Sequence, residues 1–294
     1  MEQANPHAMR DQRKLLILRA PNWPQQRKPQ GKPATRECVF CARRDEPLAE
    51  LPASRLLTPK YPGVPSHVLI VPNRHIYSIA ESSVPEIGEF LETFNRLLSI
   101  DGSLVAIGNY KKAAGQNVPH AHHHIYSSAL QSLLTCLISH KNVPANPFAQ
   151  EMLELSGLGA SADFPKRAIL PLPSNEREAL DLIKYAFEML EGAFAFLQPK
   201  IGNPDFPNPT EAARMRMFDR IIGFGLNWCI RKGNEGNLNF EALPRVAFEG
   251  VPQATINFFL GMVLMRKGLL CEEEREWGRL AGDFHGKIRH EFKN

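Results

Sequence analysis

Cysteine is scarce, five in 294 residues, and the number is odd. A small disulfide-stapled fold needs dense, paired cysteine and is excluded. No apolar run approaches the roughly 18 residues of a membrane-spanning helix. Met1 to Arg19 are polar and charged, without an apolar stretch or a small-residue cleavage site. The sequence therefore predicts no secretory signal and a cytoplasmic location. Glycine-rich phosphate loops of the P-loop or dinucleotide type are missing. So is a Gly-x-Ser-x-Gly elbow, which argues against a serine hydrolase. What is present is ordinary for a globular chain: 43% hydrophobic and 22% charged residues, net charge +4. Wholesale disorder and fibrous classes are excluded, and the length allows two domains or one large duplicated unit.

The positive excess is concentrated. Arg10, Arg13, Lys14, Arg19, Arg27, Lys28, Lys32, Arg36, Arg43 and Arg44 face only Glu2, Asp11 and Glu37 over the same stretch. Such an arm can help hold a phosphate-bearing ligand or nucleic acid, although blocks of like charge are more often solvated tails. No aromatic interleaving points to a nucleic-acid platform.

Pro21, Pro24, Pro29 and Pro33 make the next segment extended. Arg55–Pro59 and Ser66–Val71 read as strands. Val84–Leu98 reads as a helix with Ile87, Phe90, Leu91, Phe94, Leu97 and Leu98 recurring at three- and four-residue steps, opened by Ser83 and Glu86 at capping-box spacing. Strands follow at Ser103–Asn109 and His120–Tyr126, with a loop at Lys111–Gln116 between them. The second half echoes this order. Lys166–Pro173 reads as a strand, Asn175–Leu197 as a helix capped by Ser174, and Gly225–Arg231 and Asn237–Leu243 as strands. A Pro-rich insertion, Gln198–Pro209, and a short helix, Thr210–Phe224, separate helix from strand. The expectation is an internal duplication, strand–strand–helix–strand–strand twice. An amphipathic helix closes the chain at Glu272–Phe292.

The chemistry concentrates in Asn109…Gln116-Asn117-Val118-Pro119-His120-Ala121-His122-His123-His124. On a strand, His120, His122 and His124 share one face. Neighbours in that row stand about 6–7 Å apart and its ends about 13 Å, too far to serve one metal. The three imidazoles therefore take different tasks. His123 falls on the other face, where a solvated or hydrogen-bonded role is expected. Cys38-Val-Phe-Cys41 has the gap that brings two thiolates to one zinc. A structural zinc needs four N/S ligands, and His120 with His75 are the candidates to join Cys38 and Cys41. The alternative is a pair of buried structural cysteines. Cys136, Cys229 and Cys271 read as core or surface thiols, and His140, His285 and His290 have no partners in the local sequence.

The CxxC, the Pro65-Ser-His-Val-Leu-Ile-Val-Pro-Asn-Arg-His75 stretch and the Gly115-Gln116-Asn-Val118-Pro-His120-x-His122-x-His124 run together resemble the histidine triad (HIT) superfamily. The apparent duplication resembles its two-repeat branch, the galactose-1-phosphate uridylyltransferases and dinucleoside polyphosphate phosphorylases. The resemblance implies an α+β fold: a HIT-like antiparallel sheet with helices, duplicated, its second half degenerate. The units expected are a basic arm (1–35), a HIT domain (36–135), a degenerate repeat (145–250) and a helical tail (251–294). The resemblance also implies a nucleotidyl hydrolase or transferase acting at the α-phosphate of a nucleotide or a nucleoside diphosphate-linked small molecule. His122 would be the nucleophile, forming a nucleotidyl-imidazole intermediate. His124 and Gln116 would assist, and Asn109, Gln116, Asn117 and His124 would contact the nucleotide. Cys38, Cys41, His75 and His120 would hold a structural zinc. A homodimer is implied by resemblance alone; no membrane and no nucleic-acid partner is expected.

His124 matches the hydrolase branch, whereas the chain length matches the transferases, which usually have Gln there. Asn117 stands where the small hydrolases carry Ser or Thr. The second half offers Asn237, Asn239 and Glu241 in place of the triad, with no imidazole nucleophile. That row is expected to be a solvated strand face, or else the lining of a nucleotide or acceptor pocket. A nucleotide-binding or partner-binding protein on a decayed scaffold is the alternative to an enzyme.

Overall fold

Ser83 opens the first helix, α1 (Val84–Ile100), through the expected capping box, with Glu86 accepting the Ser83 N–H at 2.7 Å. The stripe read from the sequence is the buried face: Ile87, Phe90, Leu91, Phe94 and Leu97 enter the core, and Leu98 packs against it half-buried. At roughly 1.5–3 kcal/mol per buried large apolar side chain, this stripe outweighs the intrinsic helix propensity of the segment. The same holds for α3 (Glu176–Leu197), which buries Leu180, Ile183, Phe187, Leu190 and Leu197. Its N-cap is Asn175 and not Ser174, since Asn175 Oδ1 accepts the Glu178 N–H at 3.1 Å.

The computed structural model describes residues 38–42, 45–59, 66–111, 114, 116, 118–127, 149–160, 167–197, 221–233, 235–248 and 274–293. The arm over 1–35, the insertion over 198–209, Asn117, Cys136, His140 and Cys271 lie outside the described residues. The strands are β1 (Ala49–Glu50), β2 (Ser54–Leu57), β3 (Val68–Pro72), β4 (Leu104–Tyr110), β5 (His123–Ser127), β6 (Ala168–Pro171), β7 (Ile221–Lys232) and β8 (Leu238–Phe248). Two further helices are α2 (Ala149–Leu155) and α4 (Glu274–Glu291). Residues 221–224 begin β7, so the helix expected to run to Phe224 does not extend that far; residues 210–220 are outside the described set. Among the described residues, no helix is long and apolar enough to cross a membrane.

All eight strands form one antiparallel sheet in the order β1-β2-β3-β5-β4-β7-β8-β6. The order is symmetrical about the β4–β7 pair, with β3-β5-β4 on one side and β7-β8-β6 on the other. Each half places its helix between the outer and inner strands in sequence. Among the described residues, one strand precedes the helix in the second half, where two were expected.

Strand alternation gives the sheet two chemically different faces. Val68, Ile70, Ala106, Ile125, Ile230, Phe240 and Ala242 form one core with the helices. The opposite face carries His124, and cross-strand register extends its row through Leu69, Ile107, Cys229, Glu241 and Ile169. Gly108 is required on the helix side. A Cβ there would come within 2.3 Å of the Trp228 indole.

Candidate active site and metal centre

The residues read as one strand row divide in two. His124 lies on β5, but His120 and His122 precede it and make no ladder pairs. Their segment is tied elsewhere. The Ala121 N–H donates to the Ile76 carbonyl at 2.6 Å, and His120 Nε2–H donates to the Pro72 carbonyl at 2.9 Å. The histidines nonetheless remain together, with the rings of His122 and His124 5.1 Å apart.

The His120 bond fixes its tautomer, leaving the Nδ1 lone pair directed at the cysteines. Cys38 Sγ lies 3.4 Å and Cys41 Sγ 3.5 Å from His120 Nδ1; Cys41 Sγ lies 3.1 Å from His75 Nδ1. All four ligand atoms fall within 4.8 Å of one another. A tetrahedral ion with Zn–S near 2.3 Å and Zn–N near 2.0–2.1 Å sets S···N separations of about 3.5 Å. The cluster therefore fits a metal ion. Cys41 is exposed and Cys38 half-buried, so the pair is not the buried structural one offered as the alternative. His75 owes its place to its neighbour: the Arg74 guanidinium forks onto Glu86 at 2.9 and 2.7 Å, anchoring this segment to the start of α1.

His122 Nδ1–H donates to the His120 carbonyl at 2.8 Å. Its Nε2 is thereby left as the acceptor nitrogen. Burial pushes the His122 pKa down, opposed by that hydrogen bond, so the ring is neutral at pH 7. Phe40, between the two cysteines, packs on His122 with ring centroids 5.2 Å apart. Its carbonyl accepts from Arg55 Nη2, and Arg55 is itself only 3% exposed. The metal loop thus reaches the nucleophile candidate directly.

His67 was not singled out by the sequence. It is buried, shares a 3.0 Å hydrogen bond between its Nε2 and His124 Nδ1, and packs tilted against Tyr126 with ring centroids 4.2 Å apart. His285 on α4, which had no local partner, lies close enough to His67 to lower its pKa further. Asn227 was also missed. Paired with Asn109 across β4–β7, it donates through Nδ2 to Asn109 Oδ1 at 2.5 Å and to the Ala114 carbonyl at 2.9 Å. Its buried Oδ1 has no partner among the described residues. Gln116 is fastened at both ends of its amide: Oε1 accepts the Lys111 N–H at 2.9 Å and Nε2 donates to the Tyr77 carbonyl at 2.8 Å. Lys111, where the chain turns into this loop, has φ of 63°, unusual for a non-glycine residue.

His123 is not solvated. It is 3% exposed, edge-on to Phe90 at 4.9 Å and 5.1 Å from Trp228, and its Nδ1 has no partner among the described residues. Burial lowers both His67 and His123 to a pKa of about 3, assisted by the nearby His122. An unfolded histidine titrates near 6.5. Between these values the unfolded chain binds protons that the folded chain does not, so stability is lost as pH falls below 6.5. From pH 6.5 to 5 the loss is about 2 kcal/mol for each ring. His123→Leu is therefore expected to flatten the pH dependence of the urea midpoint over that range. A slope identical to the wild type would refute this account.

The comparisons with known proteins agree with the first half of the reading. Residues 44–129 match the HIT domain family, which bears out the resemblance seen in the sequence. Among solved structures, the chain is similar to yeast Ap4A phosphorylase Apa2, at 18% identity over 88% of this chain and 81% of that one, with a TM-score of 0.39. It is similar to a galt-like protein from Arabidopsis thaliana at 14% identity, over 73% and 83% of the chains, with a TM-score of 0.38. A DUF4931 family protein from Bacillus cereus gives 11% identity over 85% and 100%, with a TM-score of 0.40. No curated protein matches the chain.

Proposed function

We propose that the chain, whose residues 44–129 form a HIT domain, is a nucleotidyl hydrolase or transferase working through a covalent nucleotidyl-histidine. The observation that carries this reading is the His122 tautomer, with Nδ1–H on the His120 carbonyl and Nε2 left as a lone-pair nitrogen. Nε2 attacks the α-phosphorus of a bound nucleotide. The N–P bond forms as the bond from phosphorus to the leaving oxygen breaks, and that oxygen takes a proton. Water or a second phosphate-bearing substrate then attacks phosphorus, and imidazole departs. His124, held by His67, stands beside this centre to hydrogen-bond a phosphoryl oxygen or serve the leaving group. Asn109, Gln116 and Asn117 are the proposed nucleotide contacts. Gln116 has its remaining amide N–H for that task.

Cys38, Cys41, His75 and His120 would hold zinc. With four protein ligands the ion supplies folding energy and not a polarising site. The mirrored strand order supports a duplicated architecture, with residues 36–135 as the active unit and 145–250 as its degenerate partner.

Intact-mass spectrometry after brief mixing with nucleoside diphosphate sugars, dinucleoside polyphosphates and nucleoside phosphoramidates tests the reading. The expected result is a gain of one nucleoside monophosphate unit, absent in His122→Ala. An adduct that persists in His122→Ala would overturn it.

A further inference from the structure

Glu241 is the surprise of the second half. The row Asn237, Asn239, Glu241 was expected to be a solvated face or else the lining of a nucleotide or acceptor pocket; Asn237 is exposed, but Glu241 is 3% exposed. Its register repeats that of His124. His124 pairs with Leu69 on the outer strand and Ile107 on the inner one; Glu241 pairs with Ile169 and Cys229 in the same way. Both lie on one sheet face, three strands apart, which is about 14 Å at the usual spacing. A carboxylate so buried needs cationic partners, and it has two. Glu241 Oε2 accepts Arg167 Nε–H at 2.7 Å, and Oε1 accepts Arg231 Nε–H.

The manner of this pairing is informative. An arginine recruited only to stabilise a buried carboxylate does so best with its two-pronged edge, giving parallel hydrogen bonds. Here one carboxylate divides its oxygens between two Nε groups. Arg231 keeps both Nη groups unused, since Glu241 is the one partner its side chain has among the described residues. Its side chain is 38% exposed. Two guanidiniums against one carboxylate leave a net positive charge on the face that carries His124. Arg231 is thus held at its Nε, with its rotamer freedom already restricted and its Nη groups left for another anion.

We propose that Arg231, steered by Glu241, is a binding arm for a phosphate group of the substrate other than the one that reacts. The inference rests on the nucleotidyl-transfer reading. Arg231 pairs with Val105, one cross-strand step beyond the His124 row and on the side away from His122, so it is out of reach of the phosphorus that His122 attacks. The ligand class is an oligophosphate, whose distal group or acceptor phosphate would meet the planar fork. Arg167 braces Glu241 from the other side.

Calorimetric titration of the full chain with inorganic tripolyphosphate at low salt tests the site. The wild type is expected to bind, more weakly as salt is added. Arg231→Gln should bind at least tenfold more weakly, and Arg279→Gln, which removes an exposed arginine of α4 paired with Asp283, within twofold of the wild type. Phenylglyoxal labelling of the wild type, read by peptide mass, avoids dependence on a variant that fails to fold: tripolyphosphate should protect Arg231. Wild-type affinity in a folded Arg231→Gln, or labelling of Arg231 unaffected by tripolyphosphate, would overturn the proposal. A normal His122 adduct with that result would leave the nucleotidyl reading standing. Arg231-dependent binding without any adduct would remove the nucleotidyl reading and keep the anion site.

Discussion

Replacing His122 with asparagine is expected to lower turnover on the order of 10⁴-fold or more, because the proposed covalent route would be lost with its nucleophile. Asparagine keeps a side-chain donor for the His120 carbonyl, which accepts from His122 at 2.8 Å, so the local chain path should persist. It offers no nitrogen lone pair at the position of Nε2. The melting temperature should therefore change little while the adduct disappears. His124→Asn should cost less, about 10²–10⁴-fold, the usual range for a proton donor or acceptor. A larger loss in His124→Asn would mean that His124 and not His122 bonds to phosphorus, and equal losses that both act only in binding. Single-turnover measurement of adduct formation separates these outcomes, since a binding role would leave the adduct rate at saturating substrate unchanged.

The elements that depend on local pattern were legible in the sequence. The apolar stripe and capping box of α1 emerge with the residues expected, as do Cys38, Cys41, His75 and His120 as one cluster. Errors arose where a distant contact overrides local periodicity. His120 and His122 alternate like strand residues, but their segment bonds to Pro72 and Ile76 instead of a neighbouring strand. Alternation placed His123 correctly on the other face, but the solvated or hydrogen-bonded role expected there does not hold: that face is the helix side, where Phe90 and Trp228 enclose the ring. His67, Asn227 and Arg231 left no local signal. His67 gains meaning from a residue 57 positions away, and Asn227 from one 118 positions away. Glu241 was noticed in the right row but its burial was not foreseen, because its two arginines converge on it from β7 and from the residue before β6.

Stripping the metal from Cys38, Cys41, His75 and His120 should cost the protein a large part of its thermal stability. A ligand that binds only the folded state stabilises it by about 4 kcal/mol when its free concentration is 1,000 times its Kd. At roughly 2–4 °C per kcal/mol for a chain of this size, chelation should lower Tm by about 8–16 °C. One equivalent of zinc per chain should be recovered, and its return should restore Tm with release of protons. Cys41→Ser should melt like the chelated wild type, and a chelator should not lower it further, since both remove the same interaction. The effect should also reach the nucleophile. Phe40 packs on His122 from within the Cys38–Cys41 loop, and the His120 carbonyl that orients His122 belongs to a ligand residue. The large core shared by α1, α3 and the sheet does not include the metal loop, so the chelated chain should stay folded at 25 °C while its adduct rate falls. A chelated protein that melts with the untreated one would exclude a structural metal. A chelated protein unfolded at 25 °C would show that the core cannot stand without the loop, contrary to its packing.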